Sequence, residues 1–172
     1  VSIAITTLLW GDLTNRFPWV GLLEQVRLAD VFVHYDDVQF SKGSFVNRVQ
    51  IKTADGVRWM TVPTRNLHLG QRICEVEIAP PSQWVDQHLA LLSASLADAP
   101  HAADAIGLAE SVYATADNHL AGVARASLLA LGDYFGLVEG KRFVDVDTLG
   151  IGGSSSQRVL DVLVQGTLAN GG

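Results

Sequence analysis

Val31-Phe32-Val33-His34-Tyr35-Asp36-Asp37-Val38-Gln39-Phe40 runs from an apolar stretch straight into two adjacent carboxylates. A strand buried on both faces tolerates the first half of that pattern but not the second. The stretch therefore reads as a strand over Val31 to Tyr35 that leaves a core and delivers acidic side chains at its carboxyl end. In open α/β sheets that end is where ligands bind. Lys42, Asn47 and Arg48 follow shortly after, so one segment carries both signs of charge.

Upstream, Ser2 to Trp10 is apolar and β-branched, a first strand. Gly11 to Asn15 is turn-like, and Pro18 suits the first turn of a helix. Val20, Leu22, Leu23, Val26 and Leu28 then fall on one helical face. The chain thus opens strand–helix–strand, which implies a right-handed parallel crossover and a Rossmann-like start. Downstream, Phe45 to Lys52 alternates with period two, Ala54-Asp55-Gly56 turns, and Val57 to Val62 returns, which reads as a β-hairpin insertion. Ile73 to Ile78 reads as a further short strand.

Pro80-Pro81 separates this strand-rich part, residues 1–79, from a helix-rich part, residues 80–172. Ser82 is the expected cap of a helix that runs to Pro100. Further helices are expected over His101 to Tyr113 and Asn118 to Tyr134, the last ending at Gly136. Arg142 to Val146 reads as a strand, and Gly152-Gly153-Ser154-Ser155-Ser156 as a flexible turn leading into a last helix through Val159, Leu160 and Leu163. The expected architecture is one α/β domain over residues 1–172.

Composition narrows the function classes. The 172 residues are 48% hydrophobic and 17% charged, the balance of a compact globular chain. A net charge of −6 argues against a nucleic-acid partner. The single cysteine, Cys74, excludes an intrachain disulfide and a cysteine-rich zinc site, and fits a reducing compartment. No apolar run approaches the ~20 residues of a membrane span, and Val1 opens without a signal-peptide n-region. The expectation is a soluble, cytoplasmic protein with no membrane partner.

VFVHYDDVQFSKGSFVNR (residues 31–48) and WMTVP (residues 59–63) together resemble the WbqC-like protein family. Its pattern runs as YDDVQ, a basic residue, an aromatic, Asn-Arg, then Trp-x-Thr-x-Pro. The likeness extends to Ile3-Ala4-Ile5, to Phe17-Pro18-Trp19-Val20-Gly21, to Trp84, His88 and Ala99-Pro100, and to Ser154-Ser155. Two departures stand out. The family follows its first strand with Gln-Pro-Tyr or similar, whereas this chain has Thr7-Leu8-Leu9 and extra residues around Gly11 to Arg16. Relatives also continue well past the position of Gln165, so Leu168-Ala169-Asn170-Gly171 arrives early, as if a stretch were missing between Gln165 and Gly166. The resemblance implies a role in cell-surface polysaccharide or small-molecule biosynthesis, with transfer of an acyl or aminoacyl group. It also implies that Tyr35, Gln39, Lys42, Asn47, Arg48, Trp59 and Thr61 contact substrate.

The residues themselves leave several chemistries open. Successive strand side chains point to opposite faces, so Asp36 and Asp37 share a site only where the strand has ended. One would serve as a general base, either would hold Mg²⁺, or one caps a turn while the other pairs with Arg48 or Lys42. Lys42 and Arg48 suit an anion, as point charge and planar fork, or else an ion-paired surface. His88 lies among apolar neighbours at helical spacing and is a secondary proton-transfer candidate. His34 reads as a structural histidine, and His68, His101 and His119 as solvent groups. Ser154 to Ser156 would offer backbone N–H groups to an anion, though a plain helix cap is the preferred reading. Cys74 reads as a buried small hydrophobe.

The expected activity is an acyl or aminoacyl transfer to a sugar or small-molecule amine or hydroxyl. Asp36 or Asp37 is the base, His88 assists, and Lys42 and Arg48 hold the anionic donor. No metal ligands and no obligatory cofactor are assigned; Mg²⁺ is the alternative, and the donor is free or borne on an acyl or peptidyl carrier protein. Two other readings stand beside it: a non-catalytic accessory protein of the same pathway, and a metal-dependent sugar-nucleotide transferase.

Overall fold

The computed structural model describes residues 2–6, 20–43, 45–115 and 117–168. Its centre is β2 (Val31–His34), all four residues of which are buried. β1 (Ile3–Thr6) and β7 (Arg142–Asp145) flank it in parallel, giving the order β1-β2-β7. A continuous apolar run is what a strand covered on both faces requires. Phe32 points to one face, where Leu22 and Val26 of α1 (Val20–Leu28) meet Ala124 and Leu128 of α4 (Leu120–Tyr134). Val31 and Val33 point to the other, against Val146 and against Val162 of α5 (Ser155–Leu168). The chain is therefore α/β, and the strand–helix–strand opening is observed. The contacts expected to differ after the first strand, at Thr7 to Leu9 and Gly11 to Arg16, lie outside the described residues, as does the helix start at Pro18.

The hairpin forms from β3 (Arg48–Thr53) and β4 (Gly56–Thr61). Val49, Ile51 and Met60 are buried on its inner face. Thr53 pairs with Gly56, so the loop is Ala54-Asp55 and Gly56 itself, at φ 109°, supplies the backbone an L side chain resists. Both hairpin strands share a second core with α2 (Val85–Leu96), α3 (Ala102–Ala114) and α4.

Four boundaries differ from expectation, each for a local reason. Ile73 to Ile78 is not one strand but a 3-10 turn, Ile73–Glu75, followed by the two-residue β6 (Glu77–Ile78) paired with β5 (Thr64–Arg65). The Glu75 carboxylate accepts from the Arg72 amide at 3.0 Å and from its guanidinium at 2.7 Å, which bends the chain there. Ser82 lies inside a second 3-10 turn, Pro81–Gln83, and α2 starts after Trp84, whose indole donates to the Ala79 carbonyl at 2.9 Å. α4 starts at Leu120 rather than Asn118, because the His119 amide is held by the Asp117 carboxylate at 2.7 Å. β7 ends at Asp145, and Val146–Leu149 turns away as a 3-10 segment. α5 runs unbroken across the bond between Gln165 and Gly166. Among the described residues, no helix is long and apolar enough to cross a membrane.

α4 ends where Gly136 adopts φ 64° and the Leu137 amide returns to the Gly132 carbonyl at 2.7 Å. That return folds Val138 over Gly132, where a Cβ would stand 2.6 Å from Val138 Cγ1. Gly132→Ala, which gains about 1 kcal/mol in an open helix, is expected to lower stability here by about 1–3 kcal/mol through overpacking. Adding Val138→Ala should restore the loss; a thermal-melt double-mutant cycle with no coupling between the two sites would refute this account.

Candidate functional site

The three parallel strands end in one row, with Thr6 beside His34 and His34 beside Asp145. This is the carboxyl edge of the sheet. Beyond it the alternation of β2 continues through two more residues. Asp36 takes the side of Phe32 and His34, and Asp37 that of Val33 and Tyr35.

Each carboxylate meets an arginine from the helix covering its own face. Asp36 is fully buried, and its Oδ2 accepts from Arg125 Nη2 of α4 at 2.5 Å. The same guanidinium reaches Asp145 Oδ1 through Nη1 at 3.0 Å. Asp37 accepts from both terminal nitrogens of Arg158 of α5, with Nη1 to Oδ1 at 2.8 Å. Arg158 also donates from Nε to the Ile151 carbonyl at 3.0 Å, and its guanidinium lies 5.1 Å from the centre of the Tyr35 ring. Asp37 is thus a bidentate anchor with both oxygens engaged.

The Asp36 side has unused bonding capacity. Asp36 Oδ1, His34 Nδ1 and Arg125 Nε are buried and have no protein partner among the described residues. Burial pushes the Asp36 carboxyl above the usual aspartate range, outweighing Arg125. Burial, then Arg125, lowers His34 to about 4, against an opposing pull from Asp145. Its ring is wedged between Phe32 and Phe143, at 5.4 and 5.9 Å between centroids. Cys74 lies alongside, its amide donating to the Asp36 carbonyl at 2.9 Å. Burial raises its thiol, with Arg72 opposing, so the thiolate is disfavoured. Among the described residues no three His, Cys, Asp or Glu side chains converge as metal ligands.

The other expected site residues separate from this edge. Gln39 and Lys42 line a cleft of about 520 Å³ with Phe40, Ser41, Leu67, His68 and Leu69. Asn47 is buried and donates to the Val62 carbonyl at 3.0 Å, a clamp across the hairpin. Arg48 donates to the Gly43 carbonyl and lies 4.3 Å over the Trp59 ring, so its planar fork is held by protein. Thr61 offers its carbonyl to His88 Nε2 at 2.9 Å. A carbonyl only accepts, so that nitrogen carries the proton and Nδ1 faces the Tyr113 hydroxyl at 3.2 Å. Both His88 nitrogens are therefore satisfied inside the core beside Trp84, and burial lowers its pKa. Its bonding is that of a histidine fixed in the core, away from the carboxyl edge of the sheet.

The pairing of either aspartate with Lys42 or Arg48 is likewise replaced by Arg125 and Arg158. Sequence reasoning missed those two and Asp145. A signal existed: Arg125 is the single cation of α4, and Arg158 that of α5.

Comparison with known proteins gives three findings. The model of the WbqC-like protein family matches residues 14–168. "Uncharacterized protein Rv1507c" of Mycobacterium tuberculosis (strain ATCC 25618 / H37Rv) is 30% identical over 126 residues, covering 72% of this chain and 54% of the relative. The chain thus spans about half the length of that curated relative. No solved structure matches it.

The buried histidine sets a pH dependence. A pKa held near 4 in the folded state, against about 6.5 unfolded, means that the unfolded chain takes up the proton first as pH falls. The stability is fully present above pH 6.5, declines toward pH 4 and levels off below. Relative to His34→Phe, the parent protein should lose about 3 kcal/mol between pH 7 and 4. Urea titrations at the two pH values measure this, and parallel losses in both proteins would exclude it.

Proposed function

The chain belongs to the WbqC-like protein family, and from that premise we propose that it transfers an acyl or aminoacyl group to an amine or hydroxyl of a sugar or related small molecule. The observation that carries this reading is the Asp36 carboxylate. One oxygen is fixed by Arg125 and the other has no protein partner, in a setting that raises its basicity. A base tuned upward by a dry environment suits removal of a proton from an acceptor nucleophile.

In that reaction the acceptor N–H or O–H bond breaks as Asp36 takes the proton. The acceptor atom bonds to the donor carbonyl carbon, the bond from that carbon to the leaving group breaks, and the proton passes to the leaving group. Arg125, tethered by Asp145, keeps Asp36 oriented. Asp37 and Arg158 position the Tyr35 end of the strand rather than react. Gln39 and Lys42 in the neighbouring cleft are the groups left for an anionic donor. An activated donor needs only orientation and proton removal. Because Asp36 is sealed from water, the acceptor reaches it only by parting side chains at the edge.

That same burial favours a second reading, a non-catalytic accessory protein in which the two aspartate–arginine pairs are scaffolding. Incubation with carrier-bound thioesters, aminoacyl donors and nucleotide sugars, with and without Mg²⁺, tests both readings when acylated or glycosylated product is followed by mass. Transfer should appear with the thioester or aminoacyl donors, and Asp36→Asn should reduce it by about 10²–10⁴-fold when assayed below its own, lowered thermal midpoint, where circular dichroism shows the variant folded. Cys74→Ser should leave it intact, since no enzyme thioester is required. Undiminished transfer by Asp36→Asn sinks the assignment of the base. No product with any donor supports the accessory reading, and Mg²⁺-dependent product from nucleotide sugars alone overturns acyl transfer.

A further inference from the structure

The charge of the chain is sharply divided. Residues 38–72 contain six of the 12 cations and one of the 18 acids, a net of +5, against −11 for the rest of a chain of net −6. The hairpin presents two of these cations on its outer face. With Val49, Ile51 and Met60 turned inward, strand alternation sends Arg48 and Lys52 outward from β3, and Val57 and Trp59 outward from β4. Val57 is 65% and Trp59 42% exposed. Leu69, on the rim of the adjoining cleft that holds Lys42, is 94% exposed.

From this face we propose that the hairpin docks an acidic protein domain, the carrier that delivers the acyl donor. Two apolar side chains stand between cations here, and the complement of that pattern is an apolar stripe flanked by carboxylates. A polyphosphate backbone would leave Val57 and Leu69 uncovered, and would be repelled by the −11 carried elsewhere. An acidic domain is drawn to this basic face and oriented by the remainder. The Lys42 end of this surface is within a short span of the candidate base. Lys42 is six residues beyond Asp36, at most about 20 Å even fully extended, along a stretch tied to residues 71–73 by the Val38 and Phe40 backbone bonds. A flexible donor arm crossing that distance would enter at the cleft. Naming the partner a carrier rests on the acyl-transfer reading; the charge complementarity does not.

The test uses the full chain and an acidic acyl carrier protein bearing its phosphopantetheine arm, labelled for fluorescence anisotropy. Lys52→Glu is compared with Arg27→Glu, which makes the same single-site charge change on α1. The carrier should bind the parent protein, more weakly as salt rises. Lys52→Glu should weaken it about tenfold or more, and Arg27→Glu should not. With a small pantetheine thioester as donor, turnover should be unchanged by Lys52→Glu. No carrier binding, or binding that ignores Lys52, overturns the proposal. So does capture of a single-stranded oligonucleotide in place of the carrier, or a self-association that Lys52→Glu abolishes. Carrier binding through Lys52 without product upholds the surface while removing the transferase reading; transfer from the small thioester without carrier binding does the reverse.

Discussion

A carboxylate taken wholly out of water must be met by a fixed cation or give up its charge, and Asp36 places that demand at the end of the central strand. Arg125 answers it from α4 and is itself steadied by Asp145 from β7. One residue later the chain turns its next carboxylate to the opposite layer, where Arg158 answers from α5. The strand end is thereby fastened to both covering layers by two different helices. Removing one arginine would strand a buried charge, at a cost of about 3–5 kcal/mol, whereas the exposed pair of Arg27 and Glu24 contributes far less.

This arrangement separates two roles that proximity in the sequence had merged. Asp36 and Asp37 are neighbours along the chain but belong to different sides of the sheet. Only the Asp36 side combines unsatisfied buried polar atoms with a raised carboxyl. The Asp37 side is saturated by hydrogen bonds and behaves as a joint. Likewise Arg48, a natural anion fork by residue type, is committed to a carbonyl and an indole face. Residue chemistry marked the region, but the faces divided it.

Much of this was legible beforehand. The apolar run at Val31 announced a strand covered on both sides, and the alternation rule already separated the two aspartates. The hairpin followed from the period-two alternation of Phe45 to Lys52 and the turn at Ala54-Asp55-Gly56. The arginine partners were not legible, because they lie 89 and 121 residues further along the chain, where no local pattern links them to the strand. The partners of His88 were equally hidden, because helical spacing places a residue on a face without saying what fills its hydrogen bonds. The turn at Ile73 was hidden for a similar reason: Arg72 and Glu75 close it with side chains, which β propensity does not count.

The strand order β1-β2-β7 also joins segments that lie far apart along the chain. β2 pairs with β1 from nearby, but its other neighbour begins at Arg142, some 110 residues after Val31. Contacts of such separation are slow to form, and on a growing chain β7 and α5 emerge after everything they must join. Until then Asp37 lacks Arg158, and Arg125 lacks the Asp145 carboxylate that steadies it. The edge that holds the candidate base is thus completed last, so its integrity reports on whether the entire chain has folded.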